Sequence, residues 1–261
     1  MEEIIHIIPI GYEIDRAVKP LEKMKANRVY LLYTREINVL KSVRSQRFLS
    51  NIKEKLERLG IEVIVREGDS SDPLPLLSTI SNIIVHEKKE NNIVYVNMSS
   101  SGKLIAVSAT LAAMYHNVKV YYVHTDGGFY KSRKDFDEHG FSIVNVPAYT
   151  MLTNFTIDMP SGAKSAFLME LYKKGEMTTR DISHMITGNR LKGFEDLNDD
   201  LRGKRRTASN VLVRINRGIL DELQKNGYIQ VEKTGRNKVI TITDKGKYAA
   251  CLIGEQTSTL S

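Results

Sequence analysis

The chain has 261 residues and a formal net charge of +7, long for one hydrophobic core and comfortable for two. Cys251 is its single cysteine and tryptophan is absent, which excludes an intrachain disulfide and a cysteine-based zinc site and fits a reducing, cytoplasmic home. No apolar run approaches the ~18 residues needed to span a bilayer, and the acidic Met1-Glu2-Glu3 that leads into isoleucines is unlike a signal peptide, so no membrane partner is expected.

In chain order, Glu3 to Pro9 is an isoleucine-rich run that suits a buried strand. Asp15 to Lys25 has helical spacing in Ala17, Val18, Leu21 and Met24. Arg28 to Tyr33 is a second strand, and Val39 to Leu59 a long helix closed by Gly60. Ile61 to Val65 is a third strand. Asp72-Pro73 opens a helix with proline at its first position, which runs to about Lys88. A strand ending at Asn97, a serine-rich loop and a helix from Gly102 to His116 follow. Val118 to Val123 is a fifth strand, and Ser142 to Val146 reads as a sixth. Strands alternating with helices predict a parallel sheet with helices on both faces. Ligands of such sheets sit at the carboxyl ends of the strands, where this chain places Gly11-Tyr12, Thr34-Arg35, Gly68-Asp69, Asn97 to Lys103 and His124 to Gly128.

The segment Asn97-Met98-Ser99-Ser100-Ser101-Gly102-Lys103 carries the most chemistry. It joins a strand end to a helix N-terminus, where free backbone N–H groups and the positive end of the helix dipole converge. Small side chains let an anion approach the backbone, the hydroxyls can donate, and Lys103 adds charge. The physics is that of a phosphate or carboxylate pocket. Known signatures are absent: there is no Walker P-loop, no G-x-G-x-x-G after the first strand and no G-x-S-x-G elbow. The acidic run from Glu195 to Asp200 fails as a calcium loop, because Leu201 stands at the glycine position and Thr207 at the bidentate glutamate position. The six histidines show no metal spacing; His6 reads as a structural residue of a buried strand, whereas His124 falls on the strand-end rim. No catalytic residue, metal or cofactor is assigned.

Pro147 to Pro160 lacks periodicity and reads as a linker, part of which can extend the sheet. Beyond it the pattern changes. Ser161 to Lys174 is an amphipathic helix, and Thr178 and Asp181 frame a second with a capping box. Gly188 to Gly203 is a polar insertion. Arg205 to Asn226 reads as a third helix, and Gly227 to Glu232 and Val239 to Thr243 as two strands around a basic turn. A final helix covers Lys245 to Ile253. Helix, helix, helix, hairpin is the winged helix-turn-helix order. From Arg202 to Lys247 there are twelve Lys/Arg against four Asp/Glu, a net +8; with the total at +7, the remainder is −1. A basic segment on a near-neutral body suits a polyanion, although a winged helix with a merely solvated basic face can also serve protein contact. The residues placed to meet DNA are Lys204, Arg205, Arg206, Thr207, Ser209, Asn210 and Arg214 at the start of the third helix, with Arg236 and Lys238 on the wing.

Taken together, the two halves resemble CARF-domain proteins, the Rossmann-like sensors associated with CRISPR systems, and among them the archaeal CARF–winged-helix transcriptional regulators. The strand-ending Asn97 and the Ser99 to Lys103 loop are similar to that family's motif, with serines where a Gly-Gly pair is more usual, and Pro9-Ile10-Gly11-Tyr12 matches the family's loop after the first strand. The resemblance implies a homodimer that binds a cyclic oligoadenylate or related nucleotide and double-stranded DNA. The expected organisation is a Rossmann-like sensing and dimerisation domain over residues 1–147, a linker over 148–160, and a winged helix domain over 161–261 with the insertion 188–203. The expected ligand contacts are Gly11, Tyr12, Thr34, Asn97, Ser99, Ser100, Ser101, Gly102, Lys103 and His124. Two alternatives stay open: a ring nuclease that cleaves its own cyclic ligand with help from Lys103 or His124, and a partner-binding module without ligand.

Overall fold

A computed structural model of the protein describes residues 2–34, 39–68, 72–187, 213, 215–234 and 237–254. Two compact units divide the chain, one from Met1 to Ile157 with the last residues from Gly254, the other from Asp158 to Ile253.

The first unit runs β1 (Ile4–Pro9), α1 (Asp15–Val18), a 3-10 turn (Lys19–Glu22), β2 (Arg28–Thr34), α2 (Val39–Arg58), β3 (Glu62–Gly68), α3 (Pro73–Lys89), β4 (Ile93–Asn97), α4 (Lys103–Tyr115), β5 (Lys119–Val123), α5 (Arg133–His139) and β6 (Tyr149–Met151). The sheet order is β3-β2-β1-β4-β5-β6, with β6 antiparallel to β5 and every other pairing parallel. This is the expected Rossmann-like α/β class. β1 is central and covered on both faces: Ile5, Ile7 and Ile8 are all fully buried. Ile8 shares a core with Ala17, Val29, Leu31, Phe48, Ile52, Leu56 and Val123. α3 and α4 pack on each other and bury Leu77, Ile80, Ile84, Ala109 and Ala113.

Below the sheet, at the amino ends of its strands, Glu87 is fully buried and holds a polar network. It accepts from Arg28 Nη1 at 3.2 Å, Tyr30 OH at 2.5 Å and Asn92 Nδ2 at 2.7 Å. Arg28 also pairs with Glu3 and Glu62. His6 is buried as well, stacked on Tyr95 and bonded through Nδ1 to Tyr121 OH at 3.1 Å. Burial holds its imidazole down at about 4, against a weaker opposing bond to the Lys25 carbonyl.

Four elements differ from the sequence expectation. The sixth strand is Tyr149–Met151 rather than Ser142 to Val146, and so lies within the expected linker. The backbone N–H groups of 142–146 are largely spent on carboxylates instead of a ladder: Ser142 donates to Glu13, Val144 to Asp15, and Asn145 and Val146 to Asp126. The expected helix from Asp15 to Lys25 stops at Val18 and continues as 3-10, because Pro20 lacks the N–H that Arg16 would bind in an α-helix. Helix α5 (Arg133–His139) and a short strand, β7 (Glu176–Thr178), form where the sequence reading places no element.

The second unit runs α6 (Ala163–Lys174), β7, α7 (Thr179–Thr187), a π turn (Asn216–Leu220), α8 (Asp221–Lys225), β8 (Ile229–Thr234), β9 (Asn237–Ile242) and α9 (Asp244–Ile253). The Thr178–Asp181 capping box forms as expected, Asp181 accepting from the Thr178 N–H at 2.7 Å and Thr178 Oγ1 from the Asp181 N–H at 3.3 Å. Sheet order is β7-β9-β8, all antiparallel, and the β8–β9 hairpin pairs Thr234 with Asn237 at its tip. Phe167, Leu171, Ile182, Ile219, Leu223 and Ile240 fill the core. Helices around such a hairpin make a winged helix fold. Among the described residues no helix is long and apolar enough to cross a membrane, and no cluster of side chains is arranged to hold a metal ion.

Candidate functional site

In the order β3-β2-β1-β4-β5 the chain reverses direction across the sheet between β1 and β4, so the loops that follow these two strands lie side by side. Asn97, fully buried at the end of β4, binds them together. Its Oδ1 accepts from the Ser99 N–H at 2.7 Å, and its Nδ2 donates to the Arg16 carbonyl at 2.9 Å. That carbonyl is free to accept because Pro20 has no N–H to donate to it. Ser99 Oγ accepts from the Val123 N–H at 2.6 Å, which ties the loop to β5 as well. Arg16 donates to the Ser99 carbonyl at 3.3 Å and to Tyr122 OH at 3.1 Å. The Gly11 N–H donates to the Ser100 carbonyl at 2.7 Å. A Cβ at Gly11 would stand 3.0 Å from that oxygen, so only glycine lets the two loops close up without a shift.

What this framework leaves open faces a cavity of about 460 Å³, lined among others by Gly11, Tyr12, Glu13, Tyr33, Ser45, Ser100, Ser101, Gly102, Lys103 and Phe141. Gly102 begins α4 in an extended conformation with no side-chain cap, and no acidic residue occupies the first turn. The helix therefore offers uncapped N–H groups beside Lys103. Lys103 is exposed and makes no hydrogen bond or ion pair among the described residues. Ser100 is fully buried and Tyr33 is 8% exposed, yet among the described residues the hydroxyl of each has no hydrogen-bond partner, and Ser101 Oγ has none there either. Buried hydroxyls without partners are unusual in a folded interior. Glu13 accepts from the Ser142 hydroxyl at 2.8 Å; burial pushes its carboxyl up, opposed by Ser142 and by Arg16 at 3.8 Å. Tyr12 packs its ring on Phe48 and Phe141 and shares a 3.3 Å hydrogen bond with Ser45.

On the other side of the serine loop is a second, more open hollow of about 700 Å³, bounded by Arg16, Ser101, Lys103, Val107, Met114, Tyr122 and Phe155. Ser101 and Lys103 border both hollows. Val107 and Phe155 are more than half exposed on this side, as is Leu104 on the side of the first cavity.

Of the expected ligand contacts, the structure gathers Gly11, Tyr12, Ser100, Ser101, Gly102 and Lys103 around one cavity. Asn97 and Ser99 are adjacent, with their side-chain polar atoms engaged in holding the loop. His124 does not line either hollow; its Nε2 shares a 2.8 Å hydrogen bond with Thr150, and its ring meets Tyr122 edge-on. Thr34 ends β2, and its side chain lies outside the described residues. Glu13, Tyr33, Ser45 and Phe141 were not singled out from sequence. Tyr33 adjoins the strand end that was, whereas Phe141 comes from the segment after α5, over a hundred residues further along the chain, and left no local signal. Of the expected DNA contacts, Lys238 is half-buried on β9 and donates to Asn216 Oδ1 at 3.0 Å. Lys204, Arg205, Arg206, Thr207, Ser209, Asn210, Arg214 and Arg236 lie outside the described residues.

Fold and site together define a two-domain protein, a Rossmann-like domain with a polar cavity at its switch point and a winged helix domain after it. Comparison with known families agrees. The family described as HFX_2341_N-like, N-terminal, matches residues 4–127, and the DUF6293 C-terminal winged helix domain matches residues 163–254. Each match covers less than half of the chain, the first within the Rossmann-like domain and the second over the winged helix domain. The uncharacterized protein MJ1513 of Methanocaldococcus jannaschii is 26% identical over 218 residues, 75% of this chain and 64% of that protein. Solved structures with a broad likeness include Can2 from Sulfobacillus thermosulfidooxidans in complex with cyclic tetra-adenylate, at 15% identity over 95% of this chain and 61% of that one, with a TM-score of 0.38. Another is Enterococcus italicus Csm6 bound to cyclic hexa-2'-fluoro-hexa-dAMP, at 12% identity over 87% and 57%, with a TM-score of 0.42. The chain spans less than two thirds of the length of each of these relatives.

Proposed function

We propose that this protein is a ligand-responsive transcriptional regulator: its Rossmann-like domain senses a cyclic oligoadenylate or related nucleotide as a homodimer, and its winged helix domain binds double-stranded DNA in a CRISPR-linked setting. The observation that carries the sensing half is the set of unused polar groups around one cavity. Ser100 and Tyr33 hydroxyls and a Lys103 ammonium without partners among the described residues, together with uncapped N–H groups at the start of α4, suit a phosphate-bearing ligand. Val107 of α4 and Phe155, exposed next to the same loop, support a subunit contact there. A two-fold axis beside the loop brings two anion cradles together, as a ring of phosphates requires. The DNA half rests on the winged helix fold and on the +8 segment. Ligand then alters DNA affinity by favouring one arrangement of the dimer over another.

A sensor reading is preferred to a ring nuclease because His124, one of two residues suited to proton transfer, is held by Thr150 outside the cavity. The experiment is titration of the purified protein with labelled cyclic tetra-adenylate, with the mixture then resolved for cleavage products. Saturable binding with intact ligand, weakened at least ten-fold by Lys103→Ala, is expected. Turnover of the ring would move the protein to the enzyme class, and absence of binding would remove the sensing claim. Sedimentation of the same sample as a monomer would remove the dimer claim.

A further inference from the structure

Between β5 and β6 the chain makes an excursion, residues 126–146, that is built as a unit of its own. Its ends meet, because β5 and β6 are antiparallel neighbours and the His124 N–H donates to the Ala148 carbonyl at 2.9 Å. Its two limbs pair with each other. The Ile143 N–H donates to the Gly128 carbonyl at 2.9 Å and the Gly127 N–H to the Ile143 carbonyl at 3.0 Å, while Asp126 closes the base by accepting from the Asn145 and Val146 N–H groups. α5 forms the tip, with its own capping box at Ser132. A loop closed in this way keeps its internal bonds when it leaves the body of the protein. Tyr12 to Asp15, the turn from β1 into α1, hold it down one residue after another. The Tyr12 carbonyl accepts from the Phe141 N–H at 2.8 Å, and Glu13 accepts from the Ser142 N–H at 3.1 Å and its hydroxyl at 2.8 Å. The Ile14 N–H donates to the His139 carbonyl at 3.1 Å. Asp15 accepts from the Val144 N–H at 3.0 Å and meets His139 Nδ1 at 3.0 Å. At the tip, α2 adds Asn51 and Lys55, which donate to the Asp137 and Glu138 carbonyls, and Arg47, which pairs with Asp137.

Apolar anchoring is slight. Of the large hydrophobic side chains in 126–146, Phe136 and Val144 are the buried ones, whereas Phe129 is 76% exposed and Tyr130 and Phe141 are exposed beside it. A segment held chiefly by polar bonds that water can replace belongs to the low end of local stability. Those bonds also shape the cavity, because Tyr12, Glu13 and Phe141 all line it. We infer that residues 126–146 are a strap that docks on Tyr12 to Asp15 and leaves it as one body, that the Glu13 and Asp15 carboxylates are its latch, and that its position sets the Tyr12–Phe141 wall of the cavity. Carboxylates suit a latch, since their bonds to N–H groups are charge-assisted, and release exposes them to water rather than stranding them. Gly140 is the seat. It has φ +88, and a Cβ there would come within 2.3 Å of the Tyr12 carbonyl oxygen and 2.8 Å of the Ile14 nitrogen, so a larger residue holds the strap away. Docking of the strap is a property of the empty protein and does not rest on the sensing reading; its response to a ligand does.

The test is residue-resolved hydrogen exchange of the full chain without ligand. Undocking frees the N–H groups of Ile14, Phe141, Ser142 and Val144, whereas Ile143, bonded inside the strap, keeps its partner. Corrected for intrinsic rates, those four amides should share one opening constant, about 100-fold or more above that of Val94 and Val96 in β4, and Ile143 should exchange more slowly than Ser142 and Val144 on either side of it. Asp15→Ala should speed the four about ten-fold or more and leave β4 unchanged. Gly140→Ala should do the same, and serves if Asp15→Ala does not fold. Exchange of the four only in step with β4, or equal acceleration of β4 by both variants, would make the segment a fixed part of the domain and overturn the strap. Exchange of Ile143 in step with its neighbours would show unravelling instead of movement as one body, and would overturn it too. Saturating cyclic tetra-adenylate should slow the four amides about three-fold or more, because Tyr12 and Phe141 line the cavity. Bound ligand with unchanged strap exchange would refute the link to the cavity. Absence of binding would end the sensing reading, and the strap would then stand or fall on the empty protein alone.

Discussion

Asn97 and Ser100 both belong to the serine-loop motif, but the structure gives them opposite tasks, and substitution to alanine separates the two. Asn97 is fully buried and makes two internal bonds, at 2.7 Å to the Ser99 N–H and at 2.9 Å to the Arg16 carbonyl. Asn97→Ala leaves both backbone groups without their partner. At about 1–3 kcal/mol for each stranded group, less what water or a small shift recovers, the loss of stability is about 2–4 kcal/mol. Ser100 is equally buried, but its hydroxyl has no partner among the described residues. Ser100→Ala removes an unsatisfied group and should leave stability unchanged or raise it by about 1 kcal/mol. Both variants should bind cyclic tetra-adenylate more weakly, Asn97→Ala because the loop loses its shape and Ser100→Ala because a contact is gone. Urea unfolding followed by circular dichroism gives the stabilities, and calorimetric titration gives the affinities. If Asn97→Ala unfolds within 0.5 kcal/mol of wild type (roughly the scatter of neutral surface substitutions), the account of the loop is wrong.

Other outcomes follow from the same structure. Arg28→Met strands the buried Glu87 carboxylate and should cost about 3–5 kcal/mol. Glu87→Gln should cost less, because Arg28 keeps Glu3 and Glu62 and the amide oxygen still accepts from Tyr30; equal losses in chemical denaturation would contradict this. His6 is a base whose folded-state value of about 4 lies below its ordinary 6.5, so the unfolded chain binds the proton first. Its contribution is complete above pH 6.5, declines as pH falls from 6.5 to 4 by about 3 kcal/mol, and is flat below that. His6→Gln should remove that slope from stability measured against pH, and parallel curves for variant and wild type would refute it. In the winged helix domain, Arg205→Ala or Arg206→Ala should weaken DNA binding and lower the salt slope by about one each without altering ligand affinity, whereas Lys103→Ala should do the reverse.

The fold was legible where periodicity is strong. Isoleucines in β1, the spaced apolar residues of α2 and the Asp72-Pro73 helix start led to the correct elements, and Asn97 to Lys103 was visible as a strand–loop–helix anion motif. Errors arose where tertiary bonding overrode local pattern. Ser142 to Val146 has the apolar character of a strand, but Glu13, Asp15 and Asp126 capture its N–H groups, and no local rule reports carboxylates 19 to 129 residues away. Pro20 was visible, but its consequence, a free Arg16 carbonyl for Asn97, depends on the β1–β4 neighbourhood. The same reason hid Tyr33, Glu13 and Phe141: each is unremarkable in its own segment and acquires meaning only when three strand ends and the segment after α5 meet. His124 illustrates the converse, a residue at a strand end whose side chain turns to Thr150.

The central claim is that ligand in the Rossmann-like domain changes how the winged helix domain holds DNA. The direct measurement is fluorescence anisotropy of the full chain on a duplex selected by this protein from a random pool, with and without saturating cyclic tetra-adenylate. The account predicts a change in DNA affinity of at least five-fold, abolished by Lys103→Ala. Identical DNA affinity in the presence and absence of bound ligand would contradict it.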